Sequence, residues 1–171
     1  MFFKYLTKPT LENMKYLVIT AALFLTALSS AHTVLPDSTV ANPAYDPALA
    51  TRLGADEYGM KSYVFVILKT GKNLTTDKEF IAESFSGHMA NMDRLVKEGK
   101  LIVAGPFGKN DLTYRGLFIL SVSGSEEAKS ILLTDPAVKN GLLDYELIEW
   151  YGSAALPEYL KYSEKIWKKQ H

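Results

Sequence analysis

Ser62-Tyr63-Val64-Phe65-Val66-Ile67-Leu68-Lys69-Thr70-Gly71 is the stretch on which the fold turns. Its six consecutive apolar residues, Tyr63 to Leu68, are followed by a Lys-Thr-Gly turn signal and read as a strand apolar on both faces. Gly71 to Asp77 is then a loop, and Thr76 with Glu79 three residues later forms a capping box that opens an amphipathic helix. With Ile81 as origin and about 100° per residue, Phe85, His88, Met92 and Leu95 fall within about 40° of it, so one histidine lies on the packing face. Gly99 stops this helix. Lys100 to Ala104 reads as a short second strand, Gly105 to Arg115 as a long turn, and Gly116 to Val122 as a third strand. Ser125 caps a second helix that Glu126 to Leu133 propagates and Asp135-Pro136 breaks, and Leu142 to Tyr151 returns as a fourth strand. The order is βαββαβ, a ferredoxin-like α+β arrangement.

Two helices cover one face of a four-stranded antiparallel sheet, yet strands one and three are apolar at odd and even positions alike. Something else must cover the second face. A second copy of the same sheet, packed face to face about a two-fold axis, is the commonest solution and predicts a homodimer. The chain's own extensions are the rival cover: residues 32–61, or the tail of residues 152–171, expected to be helical and rich in aromatics at Tyr159, Tyr162 and Trp167.

Ahead of the domain, Lys15 is followed by an apolar run from Tyr16 to Leu28 and then Ser29-Ser30-Ala31, the pattern of an export signal cleaved after Ala31. The run is short for a membrane span, so no stable anchor is expected after cleavage and the mature protein is placed in the periplasm or outside the cell. Translation from Met1 or from Met14 fits this pattern equally. Residues 32–61 carry Pro36, Pro43 and Pro47 and read as an extended arm with a short helix near Pro47 to Leu53.

Nineteen basic and nineteen acidic side chains cancel, which leaves no single-sign field for nucleic acid. There is no cysteine, so disulfides and thiolate metal sites are excluded, and the three histidines are too scattered for zinc. Gly105 to Gly108 precedes no helix and is not a phosphate loop, and no serine has the setting of a hydrolase nucleophile. Neither cofactor nor metal is invoked.

His88 is read either as a core histidine bonded to a backbone carbonyl or as the working residue of a pocket. Asp135, before a proline, is a turn initiator unless the fold brings it to His88. Gly105 and Pro106 shape a turn that walls the pocket and presents Phe107, with Gly105 supplying a conformation other residues avoid. Arg115 is a candidate for a substrate carboxylate. Gly87, inside the helix, costs about 1 kcal/mol relative to alanine and asks for a close approach beside His88.

Leu68 to Gly71, the helical His88 followed by Leu95, Gly99-Lys100-Leu101, Ala104-Gly105-Pro106-Phe107-Gly108 and Asp135-Pro136-Ala137-Val138 together resemble the YciI-like (YCII-related) family over roughly Ser62 to Tyr151. The resemblance implies a ferredoxin-like domain that assembles as a dimeric α+β barrel. It also implies a site that pairs the helical histidine, here His88, with the aspartate of the Asp-Pro motif, here Asp135. A related dehydrochlorinase and structurally similar muconolactone isomerases imply proton transfer on small ring compounds. The resulting expectation is a cofactor-free acid–base enzyme of isomerase or lyase type, acting on a small ring compound or organic acid. The alternatives are a non-catalytic small-molecule binding or accessory dimeric module that uses the same pocket, and a purely structural exported dimer.

Overall fold

A computed structural model describes residues 42–169; the expected export segment, residues 1–31, and the arm up to residue 41 lie outside the described residues. Within Asp46–His171 the order is α1 (Pro47–Leu53), β1 (Met60–Thr70), α2 (Lys78–Lys97), β2 (Leu101–Pro106), β3 (Tyr114–Leu120), α3 (Ser125–Leu132), α4 (Pro136–Lys139), β4 (Leu143–Ser153), a 3-10 turn (Leu156–Tyr159) and α5 (Leu160–Ile166). The strands form one antiparallel sheet in the order β2-β3-β1-β4, so the two long strands occupy positions that put β1 between β3 and β4. This is the ferredoxin-like arrangement. β1 starts at Met60, inside the stretch expected to be arm, because its first residues already pair with Gly152 and Ser153 at the end of β4.

The alternation of β1 separates two cores. Val64, Val66 and Leu68 are buried under the helices with Leu95 of α2, Ile131 and Leu132 of α3 and Val138 of α4. Tyr63 faces the opposite side, where it clusters with Ile102 and Ile119. Leu156 and Leu160 from the C-terminal segment pack on this second cluster, and the Tyr159 hydroxyl donates to the Ile102 carbonyl. The chain's own tail therefore covers part of the second face, while Ile148 and Trp150 of β4 remain 50% and 38% exposed.

Local signals differ from the sequence reading in three places. α2 is capped by Asp77 rather than by Thr76 with Glu79: its carboxylate accepts from the backbone N–H groups of Glu79 and Phe80. Ser125 is the first residue of α3, not its cap; its hydroxyl donates to Glu149, and the entry to the helix is tied instead by Glu127, which accepts from the N–H and hydroxyl of Ser123. Gly105 and Pro106 belong to β2, paired with Leu117 and Gly116, so they are not turn residues. The turn between β2 and β3 is organised by Asn110, which donates to the carbonyls of Gly108 and Tyr114 and accepts from the N–H groups of Leu112 and Tyr114.

Candidate functional site

α2 and α4 meet along a polar seam. Residues 84, 87, 88 and 91 recur at the spacing of one helical stripe, beside the apolar face of α2. Each has a partner from the segment Thr134 to Asn140. The Asn140 side-chain amide donates to the Ser84 hydroxyl at 2.9 Å; the His88 Nδ1 lies 2.6 Å from Asp135 Oδ2; and the Thr134 hydroxyl donates to Asn91 Oδ1 at 3.2 Å. Gly87 sits against the Pro136 ring, where a built Cβ would come within 2.6 Å of Pro136 Cγ. That contact supplies the close approach that a glycine inside a helix calls for.

Asp135 is fully buried and carries several donors at once. Oδ1 accepts from the N–H groups of Ala137 and Val138 at 2.9 and 3.4 Å, as the N-cap of α4, and Oδ2 faces His88 with Asn91 Nδ2 at 3.5 Å. A carboxylate committed as an acceptor on both oxygens assigns the hydrogen to His88 Nδ1. The imidazole plane is held by Phe118, stacked at 5.9 Å between centroids, and by Phe85, edge-on at 6.0 Å. Among the described residues no buried side-chain polar atom lacks a partner, and His88 is one of the residues that line a cavity on this side of the sheet.

This cavity has a volume of about 470 Å³, within the range of small-molecule sites. Its walls are apolar, built from Leu68, Phe85, Met92, Phe118 and Leu143, and Met89 adds a further flexible thioether. Ala104, Gly105 and Pro106 of β2, with Gly116 and exposed Arg115 of β3, complete the lining. Phe107 does not: its backbone N–H still donates to the Arg115 carbonyl of β3 at 2.9 Å, but its side chain is exposed and packs against Tyr114 at 6.3 Å between ring centroids. Gly105 has no unusual backbone conformation and open space where a Cβ would be. The glycine that the crossing needs is Gly116, whose Cβ would meet the Gly105 carbonyl oxygen at 2.7 Å.

A second cavity of about 290 Å³, at the other end of β1, holds one carboxylate, Glu149, already bonded to Ser125, and no histidine or cationic side chain among its lining residues. Among the described residues no group of three or more histidine, aspartate or glutamate side chains is placed to hold a metal ion, and no helix is long and apolar enough to cross a membrane. Asn73, in an Asn-Leu-Thr sequon, has its side chain engaged with the Asn140 carbonyl and the Thr75 N–H.

The fold and the site define a small α+β domain with a buried histidine–aspartate pair at the wall of an apolar cavity. The YCII-related domain model matches residues 62–151, just over half of the chain, and the protein belongs to that family. It is 32% identical over 91 residues to Uncharacterized protein YjpA of Bacillus subtilis, a match covering 53% of this chain and 95% of the relative. Among solved structures it is similar to 5-chloro-2-hydroxyhydroquinone dehydrochlorinase (TftG) from Burkholderia phenoliruptrix in complex with 2,5-dihydroxybenzoquinone. That similarity has 21% identity and a TM-score of 0.37, and it covers 51% of this chain and 92% of that one.

Proposed function

We propose that this protein is a cofactor-free acid–base enzyme of isomerase or lyase type acting on a small ring compound or organic acid. The observation that carries the reading is the geometry of His88, with Nδ1 committed to a buried carboxylate at 2.6 Å and the ring at the wall of an apolar cavity, to which the reading assigns Nε2. Nε2 takes a proton from a substrate carbon or oxygen, and Asp135 stabilises the imidazolium that forms. Return of the proton at another position completes an isomerisation; loss of a leaving group from the neighbouring atom completes an elimination. Arg115, the arginine of the cavity lining, is assigned to a carboxylate or other anionic group of the substrate. We place this activity in an exported homodimer, in the periplasm or outside the cell, for which the short apolar run ending at Ala31 and the uncovered residues of the second sheet face are the support.

A panel of small aromatic acids and lactones, read by thermal shift and then by turnover, tests the reading. His88→Ala should lower the rate about 10²–10⁴-fold with the fold intact. A purely structural histidine gives the opposite signature, a loss of about 1–3 kcal/mol in stability from the unsatisfied carboxylate with ligand binding unchanged, and that result would overturn the proposal.

A further inference from the structure

Gly87 and Pro136 are invoked by no step of the reaction above, yet they touch at the point where the two halves of the His–Asp pair are brought together. Gly87 immediately precedes His88 and Pro136 immediately follows Asp135. The missing Cβ of Gly87 is occupied by the Pro136 ring: Cγ would be at 2.6 Å, Cβ at 3.1 Å and Cδ at 3.6 Å from a Cβ built there. On either side the seam is closed by the Ser84–Asn140 and Asn91–Thr134 hydrogen bonds. Helix propensity alone would prefer alanine at position 87. The sequence carries glycine there, where a methyl group would run into the Pro136 ring of α4.

We propose that the Gly87–Pro136 contact is the positioning device of the site, a spacer that sets how near Asp135 Oδ2 comes to His88 Nδ1 and so which imidazole nitrogen carries the proton. The inference rests on the acid–base reading for its consequence in catalysis, but not for its consequence in structure. The pyrrolidine ring is short and stiff, and its φ is preset for the first position of α4, so the depth at which the ring seats in the Gly87 notch fixes the depth of the preceding carboxylate. A methyl group in the notch forces the ring outward. The carboxylate moves with it, the 2.6 Å bond opens, and Nδ1 loses its preference for the hydrogen.

Gly87→Ala, Pro136→Ala and the double variant are the test, with the His88 ring nitrogens followed by nitrogen NMR across a pH titration and turnover measured alongside. In the parent protein Nδ1 should resonate as the protonated nitrogen of the neutral ring. In Gly87→Ala the two nitrogens should move toward the average of the two tautomers, and kcat should fall by an order of 10²-fold, the scale of a misplacement of about 1 Å. In Gly87→Ala/Pro136→Ala the 2.6 Å clash with Cγ is gone and only the 3.1 Å contact with the Cβ of residue 136 has to relax by a few tenths of an ångström, so the parent signature and at least part of the rate should return. Such rescue distinguishes positioning from general damage. A Gly87→Ala protein that keeps the parent nitrogen signature overturns the proposal, and so does a folded double variant that fails to recover it. Should Gly87→Ala not fold, the double variant still reads the outcome, since a spacer predicts that it folds with the pair intact. Loss of the tautomer in a protein that turns over no ligand would retain the spacer and reject the acid–base reading, so the two failures are separable.

Discussion

At the scale of single residues the site depends on the shared use of one carboxylate. Asp135 was legible as a turn residue before proline, and it is one, capping α4 through Oδ1. Its other oxygen is free for His88 only because capping needs one. From sequence alone Asp135→Asn looks milder than His88→Ala, since the base itself is retained. The geometry removes that difference. The amide oxygen would stay with the Ala137 and Val138 N–H groups, which turns Nδ2 toward His88 Nδ1 and places the imidazole hydrogen on Nε2, the nitrogen that has to accept a proton. Asp135→Asn should therefore reduce turnover by as much as about 10⁴-fold, the scale recorded for the equivalent exchange in a serine protease triad, with little change in melting temperature. A rate within a few-fold of the parent enzyme would show that the pair does not act as drawn.

At the scale of elements, glycines and caps show how far local pattern reaches. Gly105 and Gly116 are indistinguishable as sequence symbols, but across β2 and β3 they lie one residue out of register, Gly105 opposite Leu117 and Gly116 opposite Pro106, and only Gly116 is crowded. Gly105→Ala should leave chemical-denaturation midpoints nearly unchanged. Gly116→Ala should destabilise by about 1–3 kcal/mol, because the added methyl group meets a backbone oxygen that cannot turn aside. The segment before β1 is pinned differently, by the Tyr151 hydroxyl of β4 donating to Asp56. That hydrogen bond, helped by the Met60 N–H, holds the Asp56 carboxyl below its ordinary 3.8, and it pushes the Tyr151 hydroxyl up to about 12. A lowered acid pKa contributes stability that is present above pH 3.8 and is lost as pH falls through the folded value; a raised phenol pKa contributes stability present below pH 10 and lost as pH rises toward 12. Tyr151→Phe should flatten both limbs of the stability profile, and unchanged acid and alkaline midpoints would rule the contact out as a pH-dependent one.

At the scale of the whole molecule the second sheet face is the open question the fold poses. The tail takes the part nearest Tyr63, Ile102 and Ile119, while Ile148 and Trp150 of β4 stay partly exposed. Arg52 of α1 pairs with Glu158 at 3.0 Å, so the segments before and after the sheet are also joined to each other. If a second copy completes the cover, the full chain should sediment as a dimer at micromolar concentration and Ile148→Asp should sediment as a monomer. A monomeric parent chain would mean that the tail suffices, and the dimer would be abandoned.

The order of the four strands and the two main helices, the double-apolar character of β1 and the helical face that carries His88 were determined by sequence, because each is a periodicity within a window of some twenty residues or fewer, whereas the short helix Pro136–Lys139 was read only as a break after α3. The short helix Pro47–Leu53 was legible for the same reason, with Asp46 capping it and Pro47 at its start. What only the tertiary structure decided lies between segments. His88 and Asp135 are 47 residues apart, and their union depends on Gly87 receiving a proline ring and on Ser84 and Asn91 finding Asn140 and Thr134. Ser84, Asn91, Thr134 and Asn140 are locally unremarked polar symbols, and Gly87 asks for a close approach without naming what approaches. The exclusion of Phe107 from the cavity and the reach of the tail across the sheet follow likewise from where strands end and which faces meet. Periodicity states which side of an element seeks burial, whereas the neighbour it is buried against is settled by packing, where shape and hydrogen-bond partners from distant parts of the chain are matched together.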